Sequence, residues 1–213
     1  MALFQKKPQA GFSTNLYTLS QNKTLLVVGL GNVGREYDGT RHNVGFAGVD
    51  RFARDHDFTP WAEKKDHKCY FATATLGDAK VIAIKPTTFM NLSGQAVRAV
   101  ASFYKILPEN IVAIYDELDI PFGQIRTRIG GGSAGHNGVK SLINTLGEDF
   151  GRVRIGTGPK TPEQMDTADF VLARFGKDQE EQMTNLVREV SAILSEYAYS
   201  GNQLPAETRT FLV

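Results

Sequence analysis

The chain has 213 residues, of which 41% are hydrophobic and 22% charged, a composition typical of a globular protein of one or two domains. Its longest apolar runs, LLVV and VIAI, are far shorter than the ~18 residues of a membrane span, and its single cysteine, Cys69, excludes an internal disulfide framework. Residues 124–160 hold six Lys or Arg against two acids, and residues 161–213 hold four against nine, which fits either an anionic partner at one face or solvated surface charge.

Residues 1–22 are predicted to form a polar leader. They contain two lysines and no acidic residue, and they lack the apolar segment of a signal peptide. The absence of arginine argues against a transit peptide. We therefore expect a leader on a cytoplasmic protein, followed by one folded domain at residues 23–213.

Short runs rich in β-branched residues alternate with segments of helical periodicity after the leader. The predicted strands are residues 24–30, 70–76, 80–85, 110–116, 123–129 and 152–158. The predicted helices present apolar faces at residues 46–53, 97–104, 139–146 and 183–197. The close pair of strands around Gly77 predicts a hairpin, which favours antiparallel pairing within an otherwise parallel arrangement. We therefore expect an α/β fold: a single domain of three αβα layers with a mixed, mostly parallel twisted sheet.

Gly29 to Gly34 spell the GxGxxG pattern of dinucleotide-binding folds, immediately after the first predicted strand. In those folds the helix begins within the motif, because the pyrophosphate binds at the helix N-terminus. Here the turn signal Asp38-Gly39-Thr40 follows, and helical periodicity starts only near Val44. The spacing argues against a nicotinamide or flavin cofactor, and we expect the glycines to let the chain turn and to keep side chains out of a substrate cleft.

The polar loop that follows the first strand carries Asn32 and His42. His42 is a candidate general base, and Asp116, at the end of a strand expected to run parallel to the first, is a candidate partner that would fix its tautomer. Glu117 and Asp119 are close by, so the pattern leaves open which carboxylate points inward. The histidines lack the spacing of a metal site, and we expect neither a metal nor an organic cofactor.

Three asparagines, Asn32, Asn91 and Asn137, lie in irregular or glycine-containing stretches. An amide side chain can bind a peptide backbone or a developing oxyanion without adding negative charge beside an attacking hydroxide. A single such residue would be interpreted as a turn residue, whereas three of them favour a set of binding groups.

Six segments together resemble bacterial peptidyl-tRNA hydrolase in order and spacing: GLGNVG, TRHNVG, KPTTFMNLSG, YDELDIPFG, GGGSAGHNGVKSL and RVRIGTG. The resemblance covers residues 23–211 and so nearly the whole predicted domain. Two residues depart from the family pattern, since Val33 stands where proline is usual and Ala134 where glycine is common. Neither departure falls on a residue expected to be catalytic.

The resemblance implies an enzyme that hydrolyses the ester between a peptide and the 3′-terminal ribose of tRNA, which recycles tRNA from prematurely released chains. It implies that His42 is the catalytic base and that Asp116 orients it. It also implies that Asn32, Asn91 and Asn137 hold the substrate and help to stabilise the intermediate, and it leaves open which of the three donates to the oxyanion. The substrate-binding residues it implies are Asn32, Tyr37, Phe89, Asn91 and Asn137.

The resemblance also implies that Arg128 and Arg154 clamp the 5′-phosphate of tRNA, with Arg126 and Lys140 extending that surface. A planar guanidinium suits this task because it can bind phosphate through two parallel hydrogen bonds. The expected protein is monomeric, has no membrane partner and acts on peptidyl-tRNA. The alternative is a non-catalytic RNA-binding relative, similar to organellar splicing factors of this fold, which the loss of His42 or Asp116 would favour.

Overall fold

The computed structural model describes residues 23–212, so the leader predicted at residues 1–22 lies outside the described residues. Within them the strands are β1 (Thr24–Gly29), β2 (Ala62–Lys64), β3 (Cys69–Leu76), β4 (Ala79–Pro86), β5 (Ile111–Pro121), β6 (Gln124–Ile129), β7 (Gly151–Gly158) and β8 (Glu207–Thr210). The α-helices are α1 (Val44–Asp55), α2 (Ser93–Tyr104), α3 (Asn137–Leu146), α4 (Thr167–Leu172), α5 (Lys177–Glu181) and α6 (Met183–Tyr199).

The described strands form one mixed sheet in the order β2-β3-β4-β1-β5-β7-β6-β8. The four central strands, β4, β1, β5 and β7, are parallel, and antiparallel strands extend the sheet at both edges. The mixed α/β sheet and the β3–β4 hairpin expected from the sequence are confirmed, with the parallel pairings confined to the centre. Because β1 and β5 are neighbours and parallel, the loops that follow them meet at one edge of the sheet.

Helices cover both faces of the sheet and give the three expected layers. The apolar sides of α1 and α6 pack on one face, around Val49, Phe52 and Val190. The apolar sides of α2 and α3 pack on the other, around Val97 and Leu142. Each of these helices coincides with a predicted amphipathic segment, because an apolar stripe at helical spacing must be buried against another layer.

Four short elements, β2, β8, α4 and α5, were not predicted, and β5 continues for five residues beyond Asp116. The three residues of β2 are all exposed, and β8 alternates half-buried and exposed residues at the sheet edge, so neither leaves a strong hydrophobic signal. None of the described helices has the length and apolar character needed to cross a membrane.

The first glycines of the GLGNVG segment allow close packing of α1 against the end of β1. A Cβ on Gly29 would lie 2.6 Å from the carbonyl oxygen of Gly45, and one on Gly31 would lie 2.8 Å from the Phe46 ring. The expectation that these two glycines keep side chains out of a substrate cleft is therefore wrong, because the space they leave is filled by α1. The helix can then begin close to β1, directly after the loop that carries His42.

Candidate active site

His42 and Asp116 meet at the edge of the sheet where the loops after β1 and β5 converge. His42 lies in a 3-10 turn, Arg41–Asn43, which leads directly into α1. Its Nδ1 lies 2.8 Å from Oδ1 of Asp116, and both residues are buried. Because a carboxylate accepts hydrogen bonds, Nδ1 carries the proton and Nε2 is left as the basic nitrogen. The expected pairing of the two residues is present, and Asp116 is the inward-pointing carboxylate beside His42.

A second histidine, His136, binds the same carboxylate oxygen from the opposite helical layer. Its Nε2 lies 3.0 Å from Oδ1 of Asp116, and its Nδ1 accepts the backbone N–H groups of Gly138 and Val139 at the start of α3. A backbone N–H can only donate, so Nδ1 of His136 is unprotonated and Nε2 donates to Asp116. The helix cap therefore fixes the tautomer of His136.

Asp116 is ionised in this setting. Burial alone would raise the pKa of its carboxyl, but electrostatic attraction to His136 and His42 and the hydrogen bonds that these rings donate outweigh burial and hold the pKa well below its usual range. The result is one buried negative charge that orients two imidazole rings, whose centroids lie 5.0 Å apart.

The donor set of this cluster fits a hydrogen-bonded network better than a metal centre. His42, Asp116 and His136 bring three potential ligand atoms within 4.8 Å of one another. A metal on Nε2 of His136 would need that nitrogen deprotonated while Nδ1 still accepts the two backbone N–H groups. Such a ligand would be an imidazolate and would also lose the bond to Asp116.

Asn32 is held rigidly beside the histidines. Its Oδ1 accepts the backbone N–H of Met90 at 2.9 Å, and its own backbone N–H and carbonyl bond the side chain of Asn43 at 2.8 and 2.9 Å. The Met90 contact fixes which end of the amide is oxygen, so Nδ2 is the donor end. Nδ2 of Asn32 has no hydrogen-bond partner within residues 23–212, and Asn32 lines a cleft together with His42.

That cleft has a volume of about 880 Å³ and contains most of the predicted substrate-binding residues. Asn91 and Asn137 line it, and Phe89, with 68% of its surface exposed, stands at its rim. Tyr37 is half-buried in the 3-10 turn Arg35–Tyr37 and does not line this cleft. The apolar part of the lining comes from Phe89, Met90, Leu118, Ala134, Ala168, Val171 and Leu172.

The predicted tRNA-contacting arginines lie together on β6 and β7. In the antiparallel register Arg126 is opposite Arg154, and Arg128 is opposite Arg152. The strand residues between them, such as Val153, face α1 and α6, so strand alternation places the arginines on the face covered by α2 and α3. Like charges directly opposite are unfavourable unless an anion or another acceptor offsets them.

The two arginines expected to clamp the phosphate, Arg154 and Arg128, already have protein partners. Arg154 contacts Oε2 of the buried Glu117 through Nε and Nη2, at 3.2 and 3.1 Å. Arg128 donates from Nε to the carbonyl oxygen of Gly130 at 2.8 Å. Glu117 also lines the cleft, so the cationic cluster reaches from the edge of the sheet to the wall of the candidate active site. Lys140 is exposed on α3.

Reasoning from the sequence missed the roles of His136 and Arg152. Arg152 is fully buried; its Nη1 donates to the carbonyl of Gly132 at 2.5 Å, while its Nε and Nη2 have no partner within the described part of the chain. The signal for His136 was its position before Asn137 at the start of an amphipathic segment, where a side chain can cap the helix. The alternation of RVRIG placed Arg152 on the same face as Arg154.

Comparisons with known proteins lead to one family. The family model for peptidyl-tRNA hydrolase matches residues 26–210. A peptidyl-tRNA hydrolase from Lachnoclostridium phytofermentans is 44% identical over 167 residues, which are 78% of this chain and 86% of that protein. One from Alkaliphilus oremlandii is 47% identical over 155 residues, 72% of this chain and 82% of the relative.

A solved structure leads to the same family. The crystal structure of peptidyl-tRNA hydrolase from Acinetobacter baumannii superposes with a TM-score of 0.77 at 33% identity, covering 84% of this chain and 90% of that one. The match therefore extends from sequence to the fold over 84% of the chain. The chain belongs to the peptidyl-tRNA hydrolase family.

Proposed function

We propose that this protein hydrolyses the ester between a peptide and the 3′-terminal ribose of tRNA, with His42 as general base. The observation that carries the proposal is the buried hydrogen bond from Nδ1 of His42 to Asp116, which leaves Nε2 free in the cleft that Asn32 also lines. Within the described residues Nε2 of His42 has no partner, so it is available to a water molecule in the cleft.

The reaction follows from this arrangement. Nε2 of His42 takes a proton from water as the oxygen attacks the ester carbonyl, and the negative charge of Asp116 stabilises the imidazolium that forms. The tetrahedral intermediate collapses when the bond to the ribose oxygen breaks and the imidazolium returns its proton to that oxygen. The products are the free 3′-hydroxyl of tRNA and the carboxylic acid of the peptide, which ionises to the carboxylate by releasing its remaining proton to solvent.

Asn32 is the proposed donor to the developing oxyanion. Its amide is oriented by the backbone of Met90, so Nδ2 needs no reorganisation when charge develops on the carbonyl oxygen. Asn91 and Asn137 line the same cleft and can hydrogen-bond the peptide backbone. Such groups are left unpaired when an aminoacyl-tRNA with a free amino group binds, which favours N-blocked substrates.

The arginine cluster is the proposed contact with the tRNA 5′-phosphate. Arg154 and Arg128 supply guanidinium groups on one face of the sheet, and Arg126 and Lys140 extend the positive surface. Glu117 orients Arg154 through a charged hydrogen bond, which pre-sets the guanidinium for a phosphate oxygen. We also propose that the protein is cytoplasmic and monomeric, as expected from the sequence, and that the domain at residues 23–213 is the catalytic domain.

Replacing either clamp arginine is expected to reduce the salt dependence of tRNA binding. Each phosphate contact contributes a slope of ~0.7–0.9 to log K against log salt, so Arg128→Gln and Arg154→Gln should each flatten the plot by about that amount. Titration of labelled tRNA over a range of salt concentrations measures the slope. Arg188→Gln, an exposed arginine on α6 and so on the opposite face, is the matched control. An unchanged slope in both clamp variants would remove them from the phosphate contact.

The proposed activity has a direct test. Purified protein with N-acetyl-aminoacyl-tRNA, in the presence of a chelator, should release the N-acetyl amino acid, because the cluster needs only water and the protein's own groups. Uncharged tRNA should bind in the same buffer. Binding without release would favour the non-catalytic RNA-binding alternative.

A further inference from the structure

Arg41, the residue before His42, links the 3-10 turn Arg41–Asn43, which carries His42, to α4 and the two residues that follow it, Ala173 and Arg174. Its Nη1 donates to the carbonyl oxygens of Phe170, Ala173 and Arg174 at 3.4, 3.3 and 2.8 Å, and its Nη2 donates to Oε1 of Gln179 at 3.2 Å. The guanidinium also lies 4.2 Å from the centroid of the Phe170 ring. Only 9% of Arg41 is exposed, so a buried cation is held here by carbonyl groups at the end of a helix.

No carboxylate among the described residues lies within ion-pair distance of Arg41. A planar guanidinium can bind several carbonyls at once, whereas an ammonium is a point charge that cannot span them. The backbone joins the same contact, since the N–H of Arg41 donates to the carbonyl of Ala173 and Thr40 forms an isolated β-bridge with Arg174. The side-chain part of this link therefore depends on the Arg41 guanidinium, whereas the backbone bonds are independent of it.

The segment held by Arg41 forms part of the cleft wall. Ala168, Val171 and Leu172 of α4 line the same cleft as His42 and Asn32. A peptide seated in the cleft would press its side chains against this apolar wall. The side of α4 that faces the cleft and the end that binds Arg41 belong to one helix of only six residues, so displacement of one moves the other.

The turn that carries His42 is fixed at both ends. On one side the Asn43 side chain locks the backbone of Asn32, and on the other Arg41 binds the α4 segment. The imidazole itself is held by Asp116. Loss of the Arg41 guanidinium would leave only the backbone bonds of Thr40 and Arg41 to hold this side of the turn.

We propose that Arg41 is a positioning residue that couples contact between the peptide and α4 to the placement of His42. The proposal rests on the function proposed above. It adds the expectation that peptide residues beyond the one esterified to tRNA raise kcat. Binding energy from parts of the substrate remote from the ester would be used to place the base, rather than only to increase affinity. Arg41 itself touches neither the ester nor the attacking water.

The test compares two substrates with the same tRNA, one carrying an N-acetyl amino acid and the other a tripeptide with the same carboxyl-terminal residue. In the wild-type protein we expect kcat to be several-fold higher for the tripeptide. In Arg41→Lys we expect kcat for the tripeptide to fall by about 10- to 100-fold, because small displacements of a catalytic group have large effects on rate. The advantage of the tripeptide in kcat should disappear, while the Kd for uncharged tRNA stays within a few-fold.

Two further variants provide a second test of the Arg41 link and a control. Gln179→Ala removes one acceptor of Arg41 without touching the guanidinium, and it should reduce the tripeptide advantage in part, even if Arg41→Lys fails to fold. Arg35→Lys makes the same change at an exposed arginine of the same loop and should leave both kcat values unchanged. A tripeptide advantage preserved in Arg41→Lys or Gln179→Ala, or a loss confined to KM or to thermal stability, would overturn the proposal. So would equal wild-type kcat values, whereas failure of the wild type to release either product would refute the proposed function itself.

Discussion

His42→Ala is expected to lower kcat for release of an N-acetyl amino acid from tRNA by ~10²–10⁴-fold, the usual contribution of a positioned general base. The variant loses the imidazole ring that Asp116 orients, and with it the free Nε2. The affinity for tRNA should remain within a few-fold, because the arginine cluster on β6 and β7 is untouched. Single-turnover kinetics with enzyme in excess separate the chemical step from binding.

The arginine variants provide the reciprocal control for His42→Ala. Arg128→Gln should weaken binding while leaving the single-turnover rate at saturating enzyme close to that of the wild type. A His42→Ala variant that hydrolyses at a near-wild-type rate would contradict the assignment of the base, whatever its affinity for tRNA.

Substitutions of Asp116 are expected to separate charge from orientation. Both histidines donate to Oδ1, so Asp116→Asn keeps an acceptor in the same place and removes the negative charge, whereas Asp116→Ala removes both. In Asp116→Asn, the helix cap at α3 still keeps the proton of His136 on Nε2. The new amide should therefore present its oxygen, and not its nitrogen, to His136. We therefore expect kcat to fall by about 10²-fold in Asp116→Asn and by about 10³–10⁴-fold in Asp116→Ala.

The pH dependence offers an additional readout for the same pair of variants. Since the pKa of Asp116 is lowered in the folded protein, the carboxylate is present throughout the range above its ordinary value of ~3.9, and its protonation should not limit the wild-type rate there. Equal kcat in the wild type and Asp116→Ala, measured from pH 5 to 8, would show that Asp116 does not orient the base.

The central part of the fold is predictable from the sequence because each of its elements has an apolar period. The helix α1, for example, follows from Phe46, Val49 and Ala53 at helical spacing, and the buried strand β1 from the run LLVV. The elements that were missed are short or exposed, and tertiary contacts determine them. For α4 there was a signal, since Asp166 accepts the N–H groups of Ala168 and Asp169 as an N-cap residue, but a helix of six residues has little periodicity to detect.

The candidate site was predictable as a set of residue types and less so as a network. The order of Asn32, His42 and Asp116 along the chain indicated one edge of the sheet, and the structure brings the three together. The tautomers could not be predicted, since they depend on which backbone N–H groups His136 meets at the start of α3. The contacts of Arg41 could not be predicted either. Its partners are backbone carbonyls about 130 positions away along the chain, and because every residue has a backbone carbonyl, no residue type in the sequence marks these acceptors.

Chemical rescue tests the role of His42 most directly. The single-turnover rate of His42→Ala is measured with increasing imidazole, and Asn32→Ala, which retains the base, serves as the control. If His42 is the general base, neutral imidazole should restore part of the lost rate in His42→Ala in proportion to its concentration, because it can accept the proton from water in the vacated space. Asn32→Ala should not respond. A rate in His42→Ala that is already close to the wild-type rate, or an equal response of both variants to imidazole, would contradict the assignment of His42 as the base.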